Sequence, residues 1–175
     1  VVTVELPDRP GVSLDTPIVD TTGATIEVPS GGNLQAALHA AQPGDVIVLE
    51  AGAIYYGPFH LPRKSGDAWI TVRSSRALEL PAGRPVVPSD APMMAVLEGG
   101  HPSVVQTEAG AHHYRFVGLE IRPAAHEFMF NVVDVGSDAR DPTHIPHHVI
   151  FDRCYIHGDA ALGTRRALAM NGAHV

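Results

Sequence analysis

A single cysteine, Cys154, is all that this 175-residue chain carries. That excludes an internal disulfide framework and a Cys-rich zinc module. Basic residues are scarce as well: 12 Lys and Arg stand against 19 Asp and Glu, for a formal net charge of −7. A nucleic-acid-binding surface normally shows the opposite excess, so that class drops out. No apolar run approaches the roughly 20 residues that a membrane span needs. What remains, 45% hydrophobic and 18% charged residues, is the composition of a folded single domain rather than a disordered tail. The first residue is Val1 rather than Met, the start expected of a mature form or a fragment from which any export signal is gone.

Helix-favouring segments are also few. Seventeen Gly and 15 Pro predict many short elements joined by turns. One stretch reads as a helix, over residues 33–42: Leu34, Ala37, Leu38 and Ala41 share one face, Asn33 is a good N-cap, and Pro43-Gly44 stops it. Elsewhere alternation dominates, in Ile47/Leu49, Phe59/Leu61 and Ile70/Val72, each pair bounded by turn residues. The chain is expected to be all-β with one short helix near its start.

An internal repeat is the strongest signal. The segment from His112 to Arg122 aligns with that from His147 to His157 at a constant offset of 35 residues. Tyr114/Val149, Phe116/Phe151, Leu119/Cys154 and Ile121/Ile156 keep their apolar character, spaced two, three and two apart. That spacing predicts two short strands joined by a one-residue bend. The register continues, with Val133 and Val135 returning as Leu168 and Met170. His174-Val175 then repeats His148-Val149 after only 26 residues, because the first copy carries a polar insertion over 137–146. Such units cannot bury their apolar face alone and must stack, turn on turn, into parallel sheets. An antiparallel β-sandwich is the alternative, but it would need two-residue Asn-Gly or Asp-Gly turns between matched strands, and none falls there.

The segment from Asn33 to Leu49, with its Gln42-Pro43-Gly44-Asp45 turn, followed by Gly52 and Tyr55, resembles the N-terminal cap of right-handed parallel β-helix proteins of the pectin-lyase-like superfamily. Ala68-Trp69-Ile70-Thr71-Val72-Arg73 is similar to the next turn of the alginate-lyase and chondroitinase-B branch. The phrases Gly110 to Phe116 and Asp152 to Gly158 look like a subgroup of bacterial β-helix proteins without assigned activity. The resemblance implies a right-handed parallel β-helix capped by the short helix. It also implies an extracellular or periplasmic, carbohydrate-active protein with a polysaccharide as partner. Residues 1–25 read as an N-terminal extension and 46–175 as turns of the coil, with a Pro-rich loop at 74–95 packed along it. The family's members run longer and its catalytic Lys, Arg and carboxylate pattern finds no match here, so no catalytic role is carried over. The coil is expected to be truncated at its C-terminal end, with the uncovered last turn prone to end-to-end self-association.

Cleaving an acidic polysaccharide by β-elimination needs a group that neutralises the uronate carboxylate, a base for the C5 proton and a proton donor for the leaving oxygen. The outward columns of the repeat put Glu120 beside Tyr155 and Arg122 beside His157 on adjacent turns of one face. This quartet is the candidate catalytic patch, and a solvated face of simple charge pairs is the competing reading. Asp134, Asp138 and Asp141, on and beside the inserted loop, are the candidate oxygen ligands for calcium, against an ordinary polar insertion. His112, His113, His147, His148 and His174 invite imidazole–metal binding. Strand alternation, however, sends the two members of each pair to opposite sides and favours structural histidines. Asp152 and Asp159 are expected to serve turns, as are Arg165 and Arg166. Cys154 is expected in the core and Trp69 partly buried. Two functions stay open: a polysaccharide lyase-like enzyme, or a non-catalytic carbohydrate-binding or adhesion scaffold, with an inactive fragment of a larger β-helix as a third possibility.

Overall fold

The computed structural model describes residues 22–81, 83–136 and 141–173. In chain order the strands begin with β1 (Thr25–Val28), β2 (Val46–Leu49), β3 (Ile54–Tyr56), β4 (Phe59–Leu61), β5 (Ile70–Ser74), β6 (Ala95–Gly99) and β7 (Val105–Thr107). They continue with β8 (His112–Val117), β9 (Leu119–Pro123), β10 (Met129–Gly136), β11 (His147–Asp152), β12 (Tyr155–Ile156) and β13 (Thr164–Asn171). A helix, α1 (Leu34–Ala40), lies between β1 and β2. From β2 onward every third strand returns to the same sheet. The orders are β1-β2-β5-β8-β11, β3-β6-β9-β12 and β4-β7-β10-β13. The strand pairings are parallel, from β1 on β2 to β10 on β13. The fold is therefore the parallel β-helix that the repeat predicts, and the sandwich is excluded.

The 35-residue offset is the register itself. Val149 lies over Tyr114, Phe151 over Phe116, Ile156 over Ile121, and Leu168 over Val133. The Phe116 and Phe151 rings stack, with centroids 5.1 Å apart and planes 10° apart. Each inward column runs the length of the coil. Ile26, Ile47, Val72, Phe116 and Phe151 form one, Tyr55, Leu97, Ile121 and Ile156 a second, and Phe59, Val105, Val133 and Leu168 a third. Burying each such side chain is worth about 1.5–3 kcal/mol. Burial thins toward β11–β13: Phe116 is 1% exposed, whereas Phe151 and Ile156 are only partly covered.

The one-residue bend between the first and second sheets is a left-handed residue. Gly118 has φ +63° and Arg153, one turn on, has φ +50°. The helix plugs the start of the coil as its sequence predicts. Asn33 Oδ1 accepts the Ala36 amide at 2.9 Å, and Leu34, Ala37, Leu38 and Ala41 are buried. Between β5 and β6 the Pro-rich segment forms two short 3-10 turns, Ala77–Glu79 and Pro88–Met93, with Ala77, Leu80 and Met94 packed inward. No helix among the described residues is long and apolar enough to cross a membrane.

Two expectations fail. Arg165 and Arg166, expected in a turn, lie within strand β13, with Arg166 paired to Asn131. His113 and His148 take φ +58° and +53°, so strand alternation breaks at both histidine pairs. A left-handed residue turns its side chain off the pleat, and the members of each pair end on the same side. Ala173 bridges His147 in parallel, which repeats the 26-residue spacing. His174 itself lies outside the described residues.

Candidate functional site

The β3-β6-β9-β12 sheet presents two outward columns. One runs Ile54, Val96, Glu120, Tyr155, and the other carries Tyr56, Glu98 and Arg122. His157 follows β12 at the level of Arg122, and its amide donates to the Ile121 carbonyl. Because Leu119 and Ile121 must face the core, pleat geometry turns Glu120 and Arg122 outward. The four residues of the predicted quartet thus come together, joined by Glu98, which sequence reasoning missed. Its signal was present one turn earlier, two residues after Val96, in a turn with no repeat phrase to mark it.

The geometry is that of a charge network. Arg122 Nε donates to Glu98 Oε2 at 3.0 Å and Nη1 to Glu120 Oε1 at 2.9 Å. His157 Nε2 lies 3.1 Å from the same Glu120 oxygen, and its Nδ1 lies 2.8 Å from the Gly158 carbonyl. Both ring nitrogens thus face oxygens. The Tyr155 ring stacks on His157 at 4.3 Å. Partial burial opposes the charge on Arg122, but the Glu120 and Glu98 carboxylates hold its guanidinium above its ordinary value. The Glu120 side chain is 8% exposed, against 32% for Arg122 and 30% for His157. The acid therefore forms the floor, with the cation and the imidazole at its rim.

A cleft of about 210 Å³ opens beside this network, lined by Glu98, Arg122 and His157 and closed by the turn at Gly158–Ala160, with Glu120 and Tyr155 outside its lining. Asp159 builds that turn, accepting from the Ala161 and Leu162 amides and from His126 N. These backbone bonds hold its carboxyl below the usual aspartate range. A larger cleft of about 700 Å³ lies between the start of α1 and β3, but its lining has no carboxylate, imidazole or cation. The titratable side chains line the smaller one.

The calcium candidates remain apart from any such cluster. Asp134 accepts from Asn131 Nδ2 at 3.2 Å, and Asp141 caps the Pro142–His144 turn through Thr143. Asp138 lies outside the described residues. Neither Asp134 nor Asp141 joins a group of three ligand side chains among the described residues. The group that does form there is His113, His147 and His148, with ligand atoms all within 4.8 Å of one another. Burial, then the neighbouring His148, His112 and His147, push the His113 imidazole below its ordinary value. Cys154 packs on the core, and burial pushes its thiol up to about 12 although part of the residue's surface is open. Asp152 pairs with Arg115 and Arg153, and Trp69 is partly buried.

No family model matches this chain, and no curated protein matches it. Among solved structures it is similar to an alginate lyase from Paenibacillus sp. str. FPU-7, at 22% identity and a TM-score of 0.42, covering 72% of this chain and 37% of that one. It is also similar to the PL6 family alginate lyase AlyGC, at 17% identity and a TM-score of 0.47, covering 81% of this chain and 17% of that one. A substituted form of AlyGC gives 18% identity, a TM-score of 0.49, and coverage of 82% and 17%. The chain spans well under half the length of these enzymes.

Proposed function

We propose that this chain is part of a carbohydrate-active β-helix that cleaves an acidic polysaccharide by β-elimination beside the cleft lined by Glu98, Arg122 and His157. One observation carries the reading. A cation and an imidazole are held on one buried carboxylate, and a phenol stacks on the imidazole, on an outward face of a rigid coil. That face repeats at about 4.8 Å per turn, a template for an extended polymer. Arg122 meets the uronate carboxylate, releasing one of its two carboxylate partners as it does so. His157 and Tyr155 form the proton-transfer pair: the neutral imidazole takes the C5 proton at Nε2, the Tyr155 hydroxyl protonates the leaving oxygen as the C4–O bond breaks, Glu120 steadies the imidazolium so formed, and return of that proton to the Tyr155 oxygen resets the pair. Such a polymer lies outside the cytoplasm, so the place of action is extracellular or periplasmic. No step is assigned to calcium, since Asp134 and Asp141 are engaged by protein donors and lack a third ligand among the described residues.

A second reading, polymer binding without cleavage, is favoured by the double clamp of Glu98 and Glu120 on Arg122, which holds the guanidinium in a structural network rather than free to act on a reacting group. Incubating the protein with pectate, alginate and chondroitin separates the two, read by ultraviolet absorbance of the unsaturated uronate and by polymer binding. On the lyase reading absorbance rises, and His157→Gln or Tyr155→Phe lowers kcat by about 10²–10⁴-fold while binding persists. Binding without any absorbance rejects the lyase and leaves the scaffold. Neither binding nor absorbance rejects both.

A further inference from the structure

At the corner where β8 and β11 begin, four imidazoles form a two-by-two array. His112 and His147 stack at 4.8 Å with planes 2° apart, and His113 and His148 stack at 4.6 Å with planes 4° apart. Within each turn the rings stand edge to face with their Nδ1 atoms turned together, 2.8 Å apart in one pair and 2.7 Å in the other. All four side chains are half-buried, and Trp69 closes the array from the turn before, 5.1 Å from His113.

We propose that His113, His147 and His148, with His112 beside them, bind a late first-row divalent transition ion, Cu²⁺ or Ni²⁺ matching best. Three observations support it. The same pair geometry is built twice, on successive turns, and each time it requires a non-glycine residue in the left-handed region, which such residues seldom enter. That backbone choice does one visible thing: it carries the second imidazole onto the side of the first. The donors are nitrogen only, the set that suits copper, nickel and zinc rather than calcium or magnesium.

Affinity then ranks the ions: for such a nitrogen set Cu²⁺ binds most tightly of the late first-row divalent ions, and the imidazole rings turn from their mutual Nδ1 contact to direct their lone pairs at it. Without metal, each short pair is satisfied by one shared proton. Binding through both Nδ1 atoms moves that proton to Nε2 of the same ring, so the imidazoles stay neutral. The Asp67 carboxylate acts on His113 through its charge, which is favourable for a cation.

The chain's one tryptophan is Trp69, so its fluorescence reports this corner alone. Titration with CuSO₄ or NiCl₂ is expected to quench it saturably at one equivalent per chain. The His113→Asn/His148→Asn double variant keeps a residue that tolerates the left-handed backbone and is expected to need at least 10-fold more metal. His101→Asn, on a separate loop, is expected to behave as the parent. Equal quenching in all three proteins, or none at millimolar metal, overturns the proposal. Electron paramagnetic resonance of the parent with one equivalent of Cu²⁺ tests it independently of any variant's folding. Coupling to at least three nitrogens supports the site, and coupling to one or none overturns it.

Discussion

Replacing Gly118 by alanine tests the architecture where it bends toward the site. Gly118 sits between β8 and β9 at φ +63°, and a Cβ there would lie 2.6 Å from Leu80 Cδ1 and 3.0 Å from Ala77 Cβ. The left-handed conformation alone costs alanine about 1–2 kcal/mol. Leu80 and Ala77 are both buried, so neither yields freely, and overpacking adds about 1–3 kcal/mol. A loss near 3 kcal/mol is expected, which lowers Tm by about 6–12 °C for a chain of this size. The equivalent residue one turn on, Arg153, supplies the control. Arg153→Gly relieves the left-handed penalty but removes the guanidinium bonds to Asp152 and to the Ala77 carbonyl, so the two effects offset to within about 1 kcal/mol. Calorimetry on the three proteins decides the matter. A Gly118→Ala variant that melts with the parent, or an Arg153→Gly variant damaged as badly, would refute the reasoning.

Three other outcomes are expected. Glu120→Gln removes a buried carboxylate that joins Arg122 and His157, and is expected to cost about 1–3 kcal/mol in urea unfolding; an unchanged midpoint argues against the network. Cys154, its thiol pushed up to about 12, should resist a disulfide reagent at pH 8 in the native protein and react once urea unfolds it, so rapid native labelling would contradict its core packing. Asp159 has its pKa lowered by the amides of Leu162, His126 and Ala161, so the stability it lends the cleft-closing turn is present above the ordinary value of 3.8 and is lost as the pH falls below it. Hydrogen exchange at Ala161 and Leu162 should quicken over that range, and Asp159→Asn should abolish the step.

Periodicity made the fold legible. Apolar side chains returning at a fixed offset have one stable arrangement, each copy lying over the last, and that alone placed Phe116 against Phe151 and Val133 against Leu168. The same register put Arg122 level with His157 and Glu120 level with Tyr155. It did not show that Glu98, in a turn without the repeated phrase, would clamp Arg122 from the other side. Whether Asp134 and Asp141 share a ligand set depends on loop closure, which spacing along the chain does not encode.

By itself, then, the order of residues determined the coil, its cap and the face on which charge collects, because those follow from which side chains must leave water. Only the tertiary structure decided how the polar groups meet. The backbone at His113 and His148 leaves the extended region, against the pleat rule, and two imidazoles that alternation would part are turned edge to face. A left-handed residue is a choice between local torsion energy and long-range contact, and no local pattern in the sequence records which of the two prevails.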